Sequence, residues 1–216
     1  MSRVLVASRN AKKLEEMQRI LRRHLAAVEV LGLDDVADYD EPVEDQPTFE
    51  GNALLKARAG VAATGLPTIA DDLGLCVDAL NGMPGVLSAR WSGPPKDDDR
   101  NNRLLLAQLA DVPDERRGAH FTCAVALALP DGREVVVEGR MEGRVVREPR
   151  GSGGFGYDVL FEAADRPGLT TAELTQEDKD AISHRGRALR DAAPLVAALL
   201  APGGSDGPAV DGPERR

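Results

Sequence analysis

Two hydrophobic periods alternate along this chain and mark out its elements. Arg3 to Ala7 is a short apolar run that reads as a buried strand. The next three residues, Ser8 to Asn10, form a turn. Asn10 is a candidate cap for a helix over Ala11–His24, where Leu14, Met17, Ile20 and Leu21 share one face. Ala27–Leu33 reads as a second strand, and acidic Asp34–Gln46, which contains Pro42, as a loop. Thr48 is a candidate cap for a second helix over Thr48–Ala63, with Leu54, Leu55 and Ala59 on its apolar stripe. Pro67–Ala70 predicts a third strand ending at Asp71 and Asp72, followed by a further strand over Leu75–Leu80 and a tight turn at NGMPG. Ser92–Asp98 reads as a mobile polar loop, and Arg100–Leu109 as a helix. His120–Leu129 and Arg133–Gly139 flank PDG as a hairpin, which Val145–Arg147 extends. GSGGFGYD, Gly151–Asp158, is a glycine-rich loop. Thr175–Leu200 is mostly helical, with breaks expected near SHRG and at Pro194. From Ala201 the Gly, Pro, Asp and Arg residues predict a disordered tail. The mixture predicts an α/β or α+β domain around a central mixed sheet, spanning 1–200 with the tail at 201–216.

Composition narrows the partners. The 216 residues suffice for one domain, and 42% hydrophobic content supports a sizeable core of Leu, Val and Ala, since aromatics make up only 3%. The formal net charge of -9 argues against a sequence-independent grip on nucleic acid polymers, which needs a basic face. It leaves room for a small phosphorylated ligand held by a few focused cations. Cys76 and Cys123 sit in apolar runs outside any C-x-x-C and read as buried free thiols. MSRVLVASRN lacks the charged start and long apolar stretch of a signal peptide, and no apolar run approaches the ~20 residues of a membrane span. The expectation is a soluble cytoplasmic protein.

Four stretches carry candidate chemistry. SRNAKK, Ser8–Lys13, joins a strand to a helix start, where backbone N–H groups and the helix dipole suit an anion and Lys13 can reach a phosphate. An ordinary capped helix is the alternative, and the P-loop pattern is missing. Asp71 and Asp72 at a strand's end suit a crevice where a cation such as Mg²⁺ is shared between carboxylates and substrate phosphates. A simple Asp-rich turn is the alternative. In GSGGFGYD the glycines permit close backbone approach, and Phe155 or Tyr157 could stack on a base, although a plain loop with a core aromatic has the same composition. Lys179, His184 and Arg185 form a cationic cluster in EDKDAISHRG, whereas His24 and His120 lack any partner pattern and read as structural.

Together these stretches resemble the inosine triphosphate pyrophosphatase family, also described as Ham1-like, which removes non-standard purine nucleotides. The matching pieces are ASRNAKKLEE, TFEGNALLKA, ADDLGLCVDALNGMPGVLSARWSG, GGFGYD and AELTQEDKDAISHRGRAL. The resemblance implies an α/β fold: an elongated central mixed sheet with flanking helices and two lobes around a substrate cleft, usually as a homodimer. It implies Mg²⁺-dependent hydrolysis of ITP, dITP or XTP to the monophosphate and pyrophosphate. By position, Asp72 matches the proton acceptor and a metal ligand, with Glu44 and Asp71 as further metal-associated acids. Ser8, Arg9, Asn10, Ala11, Lys12 and Lys13 would hold phosphates, with Lys56 facing them. Leu73, Phe155, Gly156, Tyr157 and Asp158 match substrate-binding positions, as do Lys179, His184 and Arg185. Backbone N–H groups of the glycine loop, with Arg185, are the expected donors to a 6-keto purine. Two departures stand near the site. Leu73 replaces the serine of A-D-D-S-G-L, and Gly51 replaces an acid before Asn52. They motivate the alternative of a nucleotide-binding protein with reduced turnover.

Overall fold

The computed structural model describes residues 2–9, 11–24 and 28–200, with backbone alone at 2, 12, 13, 16 and 22–24. The expected cap Asn10, the residue Ala27 and the tail from Ala201 lie outside the described residues. Six strands form one sheet in the order β2-β1-β3-β4-β5-β6. They are β1 (Ser2–Val6), β2 (Val28–Leu31), β3 (Thr68–Val77), β4 (Gly118–Ala128), β5 (Glu134–Val145) and β6 (Phe161–Ala163). β1 pairs in parallel with β2 and β3, and the remaining neighbours are antiparallel. The sheet is therefore mixed, as expected. Its helices are α1 (Ala11–His24), α2 (Phe49–Thr64), α3 (Asp98–Gln108), α4 (Gln176–Ile182) and α5 (His184–Leu200).

Several local expectations are corrected. The two short strands flanking Asp71 and Asp72 are one ten-residue strand, so the acids lie mid-strand, in register with Val125 and Ala124 of β4. Backbone pairing to β4 carries the strand through the polar interruption, because the ladder bonds are made whatever the side chains are. The strand expected at Arg133–Gly139 is likewise longer, β5 running from Glu134 to Val145, so that of Val145–Arg147 only Val145 belongs to it. Pro194 does not interrupt α5. The helix loses one backbone bond there, but its buried face of Ala188, Leu189, Ala192, Ala193 and Val196 holds it on the sheet. The expected break at SHRG is present at Ser183. β6 and the short 3₁₀ segment Gly85–Arg90 are additions to the sequence reading.

The two faces of the sheet bury different material. One face presents Ile69, Cys123, Val125 and Leu127 to α1 and α5, and further along Leu75, Phe121 and Met141 pack with Tyr157, Leu160 and Phe161. The opposite face carries Ala70, Ala124, Ala126 and Ala128, small enough for Ala53 and Ala57 of α2 to lie close. Thr48 caps α2 as expected, accepting from the Gly51 N–H. Cys76 and Cys123 are buried thiols outside any disulfide among the described residues. Among the described residues, no helix is long and apolar enough to cross a membrane.

Candidate active site

β1 stops at Val6 while β3 runs on to Val77, so beyond Ile69 one margin of β3 has no strand beside it among the described residues. Strand ends of this kind are where open α/β sheets take ligands. A cleft of about 530 Å³ lies there.

Consecutive strand residues point to opposite faces, and Asp71 and Asp72 do so. Asp72 faces α2. Its Oδ2 accepts from Asn52 Nδ2 at 3.0 Å, and Lys56 Nζ stands 3.6 Å from its Oδ1. Asn52 and Lys56 are four apart, hence on one face of α2. Lys56 Nζ also donates to Glu44 Oε1 at 2.8 Å, and Arg90 donates to the Glu44 carbonyl at 2.9 Å. Burial pulls the Lys56 ammonium pKa down, but Asp71, Asp72 and Glu44 outweigh it and leave it raised. Lys56 is therefore charged at neutral pH. Asp71 faces α5, where Arg185 Nε donates to its Oδ2 at 3.1 Å.

The opposite wall comes from the glycine-rich loop. Lys179 Nζ donates to Asp158 Oδ2 at 2.6 Å, and the Phe155 N–H donates to the same oxygen at 2.8 Å. Thr171 Oγ1 donates to Asp158 Oδ1 at 2.8 Å. These bonds hold the Phe155 ring with Lys179 Nζ 5.4 Å and the Arg185 guanidinium carbon 5.9 Å from its centroid, within cation–π range. The Tyr157 hydroxyl donates to the Ser88 carbonyl at 3.0 Å. Burial, and then the Asp98 charge, push its phenol well above the usual range, so it keeps that proton. Gly154 has φ 72°, and a Cβ there would fall 2.1 Å from Asp158 Oδ2. His184 stacks on Phe121 at 4.8 Å with ring planes 11° apart.

Of the expected residues, Ser8, Arg9, Glu44, Lys56, Asp71 and Asp72 line the cleft on one side. Leu73, Phe155, Gly156 and Tyr157 also line it. Asp158, Lys179 and Arg185 stand against that lining through the bonds just described, and His184 stands against Phe121. Ala11 opens α1 and is exposed. Asn10 and the side chains of Lys12 and Lys13 are outside the described residues. Arg9 is turned towards the acidic loop, paired with Asp38 at 2.9 Å and Glu41 at 3.0 Å.

One expectation about base readout changes. The N–H groups of Phe155 and Gly156 donate to Asp158 and Asp98, so they are not the donors waiting for a 6-keto oxygen. The sequence reading also missed Asn52, Ser88, Arg90, Asp98 and Asn102. The i, i+4 spacing of Asn52 and Lys56 was the available signal for the first. The others depend on long-range packing of the Gly85–Arg90 segment and α3. The departures have local explanations. Leu73 packs against the apolar cluster containing Cys123. At Gly51 a Cβ would lie 2.8 Å from Gln46 Cβ, so glycine lets Gln46 close over the helix start.

A nucleotide-sized cleft, with acids and a lysine on one side and an aromatic ring beneath cations on the other, marks a nucleotide-handling α/β protein. The chain belongs to the Ham1 family, whose model matches residues 4–195. It is 64% identical over 200 residues to a dITP/XTP pyrophosphatase of Nocardia farcinica, covering 92% of this chain and 97% of that protein. A nucleoside-triphosphatase, dITP/XTP pyrophosphatase, structure from Mycobacterium abscessus matches at 59% identity with TM-score 0.73, covering 89% of this chain and 99% of that one. The Ham1 protein of Staphylococcus aureus matches at 34% identity with TM-score 0.81, covering 92% of this chain and all of that one.

Proposed function

We propose that the chain hydrolyses non-standard purine nucleoside triphosphates, ITP, dITP and XTP, to the monophosphate and pyrophosphate. The observation that carries this is a cleft lined by Asp72, Lys56, Glu44 and Phe155, with Lys179 and Arg185 over the Phe155 ring, in a chain 64% identical to a dITP/XTP pyrophosphatase. The phosphate chain would lie between the Ser8–Lys13 segment and Lys56, and the base against Phe155. The reduced-turnover alternative is disfavoured because Leu73 and Gly51 are accommodated by packing and leave Asp72, Lys56 and Lys179 in place.

The donor chemistry suits Mg²⁺. Asp72 and Glu44 are oxygen donors on either side of one ammonium, and among the described residues no three acids, histidines or cysteines gather into a closed metal cage. An ion that keeps waters and takes further ligands from substrate phosphates fits such a pair. When bound, Mg²⁺ would neutralise phosphoryl oxygens as charge develops. Asp71 then serves mainly to hold Arg185.

Within the chain, Asn52 fixes the Asp72 carboxylate so that it can orient and deprotonate the attacking water. Lys56 supplies a permanent positive charge beside the phosphates. Lys179 and Arg185 are the proposed donors to a 6-keto oxygen, where a 6-amino group would set donor against donor. The acidic surface supports free nucleotides rather than nucleic acid polymers as substrate, which makes the cytoplasm the proposed place of action. A homodimer is proposed from the family resemblance, and sedimentation equilibrium tests it. The central test is pyrophosphate release from ITP, dITP, XTP, GTP and ATP with Mg²⁺. ITP, dITP and XTP should lead, and equal use of ATP would refute the readout.

A further inference from the structure

α3 grips the glycine-rich loop at one residue, Gly156, through the two peptide groups that flank its Cα. Asp98 Oδ2 accepts the Gly156 N–H at 2.9 Å, and Asn102 Nδ2 donates to the Gly156 carbonyl at 3.0 Å. Asp98 and Asn102 are four apart, so both project from one face of α3. The helix is itself fixed there. Asp97 caps its first turn through the Arg100 N–H, and Asn101 donates to the carbonyls of Ser88 and Ala89 at 3.4 and 3.2 Å. Gly156 has φ 62°, the left-handed region, and has space around it, with no heavy atom within 4 Å of a Cβ placed there. Two hydrogen bonds to α3 hold the residue in this conformation. Gly156 is flanked by Phe155, beneath Lys179 and Arg185, and by Tyr157, anchored to Ser88.

We infer that Asp98 and Asn102 are positioning residues for base recognition: they lock the peptide groups on either side of Gly156 and so set the plane of the Phe155 ring on which the purine stacks. This rests on the proposed nucleotide reading and deepens it. Asp98 lines the cleft and bonds to the Phe155–Gly156 loop, whereas the proposed phosphate site is at Lys56, so the effect of losing the clamp should be confined to ligands that carry a base. Backbone donors already committed to Asp98 and Asp158 also mean that the loop acts as a rigid platform, with selectivity left to side chains.

The test measures binding by calorimetry with two probes, α,β-imido-ITP, which resists attack, and inorganic pyrophosphate, which has no base. Asp98→Ala should weaken α,β-imido-ITP about tenfold, as expected for losing one charge-assisted hydrogen bond. Pyrophosphate affinity should stay within about twofold. Asp98→Asn, which keeps an acceptor oxygen, should recover most of the loss. Unchanged α,β-imido-ITP affinity in Asp98→Ala, or an equal loss for pyrophosphate, overturns the inference. If Asp98→Ala does not fold, Asn102→Ala is judged by the same two affinities. A wild-type chain that binds α,β-imido-ITP but releases no pyrophosphate from ITP defeats the proposed hydrolysis alone, and the clamp is still decided by the variants. A wild-type chain that does not bind it defeats both.

Discussion

Arg185 Nε donates to Asp71 Oδ2 at 3.1 Å, and each side chain is only 2% exposed. Burying a pair costs desolvation that the contact roughly offsets, but removing one partner strands the other charge. Asp71→Ala should therefore destabilise the fold by about 3–5 kcal/mol, lowering Tm by about 10 °C. A thermal melt showing less than a few degrees of change would contradict the assignment of Asp71 as the counterion of Arg185.

Asp72→Asn should behave differently. The amide preserves shape but cannot accept a proton from water, so turnover of ITP should fall about a hundredfold or more. Binding of α,β-imido-ITP should persist. Near-wild-type pyrophosphate release would remove Asp72 from the chemistry.

Gly154→Ala should damage the base side of the cleft. The new methyl would meet the oxygen of Asp158 that Lys179 and the Phe155 N–H share. The left-handed backbone alone costs about 1–2 kcal/mol for an L-residue, and the displaced pair adds to it. The expected result is a KM for ITP raised roughly tenfold, read in a steady-state assay with pyrophosphate affinity as the control.

His120 supplies a pH prediction. Burial first, then the Arg140 guanidinium 2.8 Å from its Nδ1, hold its pKa below the usual histidine value of 6.5, despite Glu142 and Asp78. The neutral form is favoured in the folded state, so its contribution to stability is present above 6.5 and is lost as pH falls through the lowered pKa. Chemical denaturation between pH 5 and 7 should show wild type losing more stability on acidification than His120→Gln. Parallel profiles would contradict this.

How much of this was legible in the sequence varied with the range of the interaction. α2 was read correctly, including its Thr48 cap, because cap and apolar stripe are local. The hairpin of β4 and β5 was visible in alternation around PDG. β3 was misread as two strands, since Asp71 and Asp72 break the apolar run, and only pairing to β4 shows that the backbone continues. Pro194 misled because its local penalty is smaller than the gain from burying the α5 face. The cleft residues drawn from the family resemblance were legible by motif. The grip of Asn102 on Gly156 joins residues 54 apart, and no local pattern announces it. Arg117 was missed for the same reason: its buried guanidinium donates to the carbonyls of Leu109, Val145 and Val146, a tie set by tertiary structure.

Because the two neighbouring acids of β3 are divided between α2 and α5 by the pleat alone, their division of labour is a matter of parity. Inserting or deleting one residue ahead of them in that strand would exchange their surroundings, handing the arginine's acid to Lys56 and the water-facing acid to Arg185. Length changes before this point are thus tolerable only in pairs or inside the preceding turn, which makes the count of residues from Thr68 as consequential as their identity.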